Sequence, residues 1–240
     1  MELKRSAPLV TFYDDAVGER LEFSRRTFDN WVDKTANLLV DGLDAQPGDK
    51  VLLDLPLHWQ TAVWFFACWK TGLEVRLGEG DCAFHVTTGD RLPADSRAEV
   101  VGLSLNAFGE PLADAPSYVV DYATEVRAYG DRFVAYRKPD LEAPALSVTN
   151  ATFTANQLNQ LTLAAIAKYR LTSADRTLVT TAWSSAETLV SALLAPVEAG
   201  GSVILCRNID LTLVTSRLET ERVTALAGLD SSYDSVRRIL

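Results

Sequence analysis

Cysteine is scarce in this sequence and unpaired. Cys68, Cys82 and Cys206 form no C-x-x-C pair, and each sits beside apolar residues. That pattern argues against a disulfide framework and points to buried free thiols in a reducing cytoplasm. Histidine is scarcer still. His58 and His85 are too far apart for a local metal motif, and no cysteine or carboxylate cluster frames either, so no metal is expected. Basic charge is in deficit, with 23 Lys and Arg against 32 Asp and Glu and a formal net charge of −9. Nucleic acid and anionic membranes both demand a basic surface, so neither is expected as the main partner. Long apolar runs are missing too. The most apolar stretch, AVWFFACW at 62–69, is far too short to span a bilayer. The opening MELKRSAPLVTF has basic residues but lacks the apolar core of a signal peptide. Neither a G-x-S-x-G elbow nor a G-x-x-x-x-G-K-[ST] loop occurs, which argues against an elbow-type hydrolase and a P-loop nucleotidase.

What is present is an ordinary globular composition, 48% hydrophobic and 23% charged over 240 residues. At roughly 150 residues per domain this length suits one large domain or two small ones. PLVTFYDD and ERLEF flank Ala16-Val17-Gly18 and read as a hairpin. Ser24 caps a helix whose Phe28, Trp31, Val32, Thr35, Leu38 and Leu39 recur at three- and four-residue steps, and Gly42 ends it. Pro47-Gly48-Asp49 turns the chain into a strand, Lys50–Leu55. A helix from Trp59 to Lys70 follows, apolar nearly all round, and Gly72 leads to the strand Leu73–Leu77.

The second half repeats this order. Phe153-Thr154 stands where Phe23-Ser24 stood, a helix runs to Tyr169, and Ser173-Ala174-Asp175 turns the chain. Strand Arg176–Thr181, helix Ala186–Ala199, Gly200-Gly201 and strand Ser202–Cys206 complete the unit. Gly72 lies 23 residues after Asp49, and Gly200 lies 25 after Asp175. A strand–helix–strand of this length reads as a right-handed parallel crossover, so the fold is α/β with two related units. Three further β-like runs, CAFHVTT, AEVVGLSL and SYVVD, fall between them, and RKPDLEAPA at 137–145 reads as a boundary or exposed loop.

Several local motifs have plainer readings. GEGDCA at 78–83 fits G-x-G-x-x-A, but the strand-like CAFHVTT follows where a dinucleotide site needs a helix, so it reads as a turn. TTGD at 87–90 reads as a strand-end turn, and Asn150-Ala151-Thr152 as an accidental glycosylation match. Trp59, Trp64 and Trp69 recur every five residues and spread around their helix. Core packing is the simple reading, and one of them facing a partner chain is the sharper one.

The run RLEFSRRTFDNWVDKTANLLVDGLDAQPGDKVLLDLPLHWQTAVWFFACWKTGLEV resembles the start of the adenylate-forming superfamily, which comprises acyl-CoA synthetases, peptide-synthetase adenylation domains and luciferases. The run from SADRTLVTT through ERVTALAGLD is similar to the family's second subdomain. The resemblance covers most of the chain and suggests a short actinobacterial branch. It implies two pseudo-symmetric α/β subdomains, placed at 1–138 with the N-terminal hairpin and at 145–240, with the C-terminal domain absent. Family members use ATP to turn a carboxylate into an acyl-adenylate and pass it to a thiol. A Ser/Thr/Gly-rich loop with a lysine grips the phosphates, and it belongs just before ALSVTNATFTANQ. RKPDLEAPA stands there without a glycine. At AWSS, Trp183 keeps an aromatic where the family has an aromatic-His pair. The later motifs and the lysine-bearing domain fall beyond Leu240 in family order.

The resemblance therefore implies a degenerate, non-catalytic protein with no catalytic or metal-binding residues. Residual cleft contacts are expected at Trp183 and Ser184, between the units. ATP or AMP is a ligand by resemblance only. A homo-oligomer or a protein partner is expected to rebury surface. The alternative is one subunit of a split acyl-adenylating ligase whose phosphate loop and lysine come from another chain.

Overall fold

The hairpin forms where the alternation predicts it. β1 (Pro8–Asp14) pairs antiparallel with β2 (Glu19–Ser24), and Gly18 takes the positive φ of the turn at +68°. The computed structural model describes residues 7–106, 109–229, 233 and 236–240. The opening MELKRS, on which the reading of a missing leader rests, and Asp230 of ERVTALAGLD lie outside the described residues.

Ser24 caps α1 (Arg25–Asn37), its Oγ accepting from the Thr27 amide at 3.1 Å. The helix runs on into a π-turn, Leu38–Gly42. Next come β3 (Lys50–Asp54), α2 (Trp59–Thr71), β4 (Glu74–Arg76), β5 (Phe84–Thr88), β6 (Glu99–Leu103), β7 (Val119–Asp121) and the short α3 (Tyr122–Glu125). A second hairpin, β8 (Pro144–Val148) and β9 (Ala151–Thr154), leads into α4 (Ala155–Tyr169) and β10 (Arg176–Val179). The expected helix after β10 is α5 (Ala186–Leu189), a π-turn at Val190–Leu194 and α6 (Ala195–Glu198) in succession. β11 (Ser202–Arg207), α7 (Val214–Thr220), β12 (Ala225–Ala227) and β13 (Arg237–Arg238) follow.

Two sheets result, in the orders β7-β6-β5-β3-β4-β8-β9 and β13-β12-β10-β11-β1-β2. Apart from β7 they have the same order of equivalent strands, so the repeat read in the sequence is a repeat of topology. It extends to detail. Both hairpins carry an irregularity at the same place, between Pro8 and Val10 and between Pro144 and Leu146. Both turn aspartates cap their own loops, Asp49 Oδ2 accepting from the Gln46 amide at 2.8 Å and Asp175 Oδ2 from the Thr172 amide at 2.7 Å. Gly72 and Gly200 share a φ of +80°.

The hairpins are exchanged between the repeats. β1–β2 precedes α1 and β3 in the chain, yet β1 pairs with β11; β8–β9 precedes α4 and β10, yet β8 pairs with β4. One compact unit is therefore Met1–Phe28, Leu57–Trp59 and Leu158–Leu240, and the other is Asp29–Pro56 and Gln60–Gln157. This corrects a boundary between 138 and 145. Local periodicity locates a hairpin but cannot say which sheet edge its backbone will satisfy.

In the unit built on β3, the strands are apolar on both faces, with Val51, Val86 and Val101 fully buried, as parallel strands covered on both sides require. Trp64 is fully buried against the Tyr122 ring at 5.3 Å, and the Tyr122 hydroxyl meets Thr35 Oγ1 at 2.7 Å. Trp69 is half-buried and its indole donates to the Ala145 carbonyl at 2.8 Å. Trp59, which belongs to the other unit, is buried as well, so core packing accounts for Trp59 and Trp64, and neither is exposed to face a partner. In the other unit Leu178, Ile204, Val214, Leu218 and Leu226 pack into one cluster.

Candidate functional site

Open α/β sheets bind ligands beyond the carboxyl ends of their strands, at the point where strand order reverses. In the first sheet that point lies between β3 and β5, because the chain leaves β3 for β4 on one side and then reaches β5 on the other; the cleft described next lies instead on the far side of β3, at β4 and β8. At the carboxyl end of β4, Arg76 faces the tip of the β8–β9 hairpin, and the two enclose a cleft of about 450 Å³. Gly78 at φ +96° and Gly80 at φ +143° turn the chain away from β4. A Cβ on Gly80 would overlap the Arg76 guanidinium, so the arginine lies across bare backbone that only glycine supplies.

Two of the cleft's three hydroxyls, those of Ser147 and Thr152, are already engaged, and the third belongs to the exposed Thr149. Ser147 Oγ donates to Glu74 Oε1 at 2.6 Å and shares a hydrogen bond of 2.8 Å with Thr152 Oγ1. Glu74 is buried, and Arg76 Nη2 lies 3.6 Å from the same carboxylate oxygen. Arg76 Nε is buried and has no hydrogen-bond partner. β8 and β9 are joined by Thr149 and Asn150 alone, both exposed. Cys82 has its thiol pushed up by burial, with the nearby Arg76 charge pulling the other way, so it is not an activated nucleophile.

The equivalent edge of the second sheet is a closed ionic brace. Asp15 accepts from Arg217 Nη1 at 2.9 Å, from Nη2 at 2.6 Å and from the Asp210 amide at 2.7 Å. Burial pushes the Asp15 carboxyl up, but those hydrogen bonds outweigh it and hold the group below the usual carboxylate range. Arg217 also stacks 4.2 Å over the Tyr13 ring, and the Tyr13 hydroxyl donates to Glu221 at 2.5 Å. Arg20 and Arg176 flank the same Glu221 at 2.9 and 2.6 Å. Each charge here has a partner, and burial pushes the Cys206 thiol beside Arg217 up to about 12.

Trp183 and Ser184 lie on the connection from β10 to α5. Trp183 is 5% exposed and Ser184 is exposed. Neither lines the Arg76 cleft. The serine with a structural part there is Ser185, which forms a capping box with Thr188. His58 is buried, and desolvation lowers its imidazole to about 3, so it is neutral. Burial lowers His85 as well. Among the described residues no group of three or more His, Cys, Asp or Glu is placed to hold a metal. Sequence reasoning missed Arg76. Its signal was a lone cation closing a short strand just before Gly-Glu-Gly.

No family model matches the chain. A TIGR03089 family protein of Mycobacterium tuberculosis is 40% identical over 225 residues, which is 90% of each chain. Among solved structures, an acyl-CoA synthetase of Brucella canis matches with a TM-score of 0.74 at 15% identity, covering 92% of this chain and 44% of that one. Apo MatB from Rhodopseudomonas palustris matches at 0.72 and 15%, covering 93% and 46%. The anthranilate CoA ligase AuaEII, in complex with anthranoyl-AMP, matches at 0.72 and 15%, covering 92% and 46%. The chain spans under half the length of these structures. At such identities the likeness establishes the fold, an α/β architecture of two sheets corresponding to the N-terminal portion of adenylate-forming enzymes.

Proposed function

The chain belongs to the TIGR03089 family, and from that membership and the hairpin geometry we propose that it is a non-catalytic binding protein built on the scaffold of the adenylate-forming ligases. One observation carries this reading. The β8–β9 hairpin turns in two residues, its Ser147 and Thr152 hydroxyls bond each other, and Ser147 donates to the buried Glu74. Holding a triphosphate takes a run of free amides and hydroxyls that stabilise developing negative charge. Here the Ser147 hydroxyl is spent on a carboxylate and Thr152 on Ser147. The segment before β8 supports the same reading, since 137–143 is irregular and carries no glycine.

The test is carboxylate-dependent exchange of pyrophosphate into ATP, run on the purified chain with aliphatic and aromatic acids. No exchange above the acid-free blank is expected, and exchange by this chain alone would overturn the reading. Thermal shifts with magnesium-ATP, AMP and a non-hydrolysable acyl-adenylate mimic then ask whether ligand recognition survives. A ligand at a hundred times its dissociation constant adds about 2.7 kcal/mol.

A second reading is one subunit of a split ligase. The coverage of 44–46% of the matched synthetases supports it, because the remainder could reside on another chain. It requires that a second chain bearing a phosphate loop and lysine restore exchange upon mixing. The three free thiols, none disulfide-bonded, support a reducing compartment such as the cytoplasm. Among the described residues no helix is long and apolar enough to cross a membrane.

A further inference from the structure

The repeat supplies an internal control for surface chemistry. α1 and α4 occupy equivalent places, each following a capped hairpin, with Phe28 and Leu158 buried at the same helical position. Five positions of α1 carry charge: Arg26 and Asp29, which are exposed, and Arg25, Asp33 and Lys34, which are half-buried. Asp33 pairs with Lys70, and Lys34 pairs with Asp131 at 2.8 Å. The equivalent positions of α4 are Ala155, Asn156, Asn159, Leu163 and Ala164. Every charge has been replaced by a neutral residue. Leu161 and Leu163 are 42% and 62% exposed, and Gln160, Ala164 and Ala167 are exposed as well. At 3.6 residues per turn the two leucines flank the ridge formed by Gln160, Ala164 and Ala167.

We propose that this outward face of α4 is a self-association surface, on which α4 of a second copy of the chain packs antiparallel about a two-fold axis. Charge selects the occupant. Two copies each carry −9, and they repel wherever their charged surfaces meet. From Ala155 to Ala167 this helix carries no ionisable side chain. Position favours self-complementarity too. Leu161 and Leu163 straddle the midpoint of the helix, so an antiparallel pair sets the leucines of one copy against those of the other, as an isologous contact requires. The small ridge lets the backbones come close. The single cation, Lys168, stands in the last turn, and Glu142 stands beside the first, where it accepts from Asn156 Nδ2 at 2.9 Å. Antiparallel packing brings each Lys168 toward the first turn of the other copy, and it opposes the two helix dipoles favourably.

Sedimentation equilibrium of the full chain across the micromolar range should show a monomer–dimer equilibrium. Leu163→Asp and Ala164→Lys each install the residue that α1 carries at the equivalent place, and both positions are exposed on α4, so a charge there is solvated in the monomer. Each should weaken dimerisation at least tenfold while the circular dichroism spectrum stays unchanged. Amide exchange of the unmodified chain gives a reading independent of the variants, since protection gained with concentration should map to α4. A wild type that stays monomeric, a dimer indifferent to both substitutions, or concentration-dependent protection confined to other elements would each overturn the proposal.

Discussion

Arg217 has a side chain only 7% exposed, and both of its terminal nitrogens lie on the Asp15 carboxylate. Breaking one side of such a pair leaves a buried charge uncompensated, which costs about 3–5 kcal/mol. Arg217→Ala should lower unfolding stability by that order in urea titrations, and Asp15→Asn/Arg217→Met should lose less than the single Arg217→Ala change. The pH dependence follows from the same contacts. In Asp15, Asp175 and Glu221 burial raises the carboxyl, and hydrogen bonds and nearby arginines overcome it, so the folded-state values lie below the unfolded ones. Their contribution is present above the unfolded carboxylate range and disappears as pH falls through the folded values. Arg217→Met should therefore flatten the loss of stability on acidification, which guanidine melts below neutral pH will show. Glu19 runs the other way. Burial, and Asp14 directly across the hairpin, raise its carboxyl, with Arg207 opposing. A raised value means stability is lost as pH rises through it. Glu19→Gln should thus stabilise at neutral pH, by roughly 0.2–1 kcal/mol for a like-charge cross-strand pair, and the gain should vanish in acid.

The elements were legible in the sequence wherever a local rule governed them. Ser24 and Thr154 announce their helices because a hydroxyl at that place accepts an otherwise orphaned amide, at 3.1 and 3.2 Å here. Asp49 and Asp175 announce their strands because the preceding loop folds onto the carboxylate. The broken helix after β10 was not legible, because a π-turn at Val190–Leu194 keeps the apolar helical pattern in its letters. Nor was the Arg76 cleft, because it forms where the end of β4 meets a hairpin some seventy residues further along the chain. Gly80 tests that cleft at the level of the β4–β5 connection. Gly80→Ala meets two obstacles, a φ of +143° and the guanidinium of Arg76. A strained φ of this kind costs about 1–3 kcal/mol. Adding Arg76→Ala should recover the steric part and leave the conformational part, so the double variant should melt between Gly80→Ala and the parent. If it melts no higher than Gly80→Ala, then Arg76 does not lie across this glycine.

At the scale of the whole molecule, chain order and sheet order part company, and that has a thermodynamic consequence. Phe12 of β1 is fully buried in the sheet that holds β10 and β11, although it lies nearer in sequence to β3. Leu146 of β8 is fully buried in the sheet of β3 and β4, although α4 and β10 come next in the chain. Each unit thus depends on a hairpin delivered by the other half of the sequence, so neither half can complete its sheet from contiguous residues. Sub-global opening follows packed units rather than sequence neighbours. Phe12→Ala, expected to cost about 3–5 kcal/mol by cavity formation, should raise amide exchange in β10 and β11 first. Leu146→Ala should open β3 and β4 first and leave β10 and β11 protected. A boundary at 138–145 requires the opposite pattern, with Phe12→Ala opening β3 and Leu146→Ala opening β10. Hydrogen exchange read by mass spectrometry on the two variants separates the cases, because the sheets share no strand.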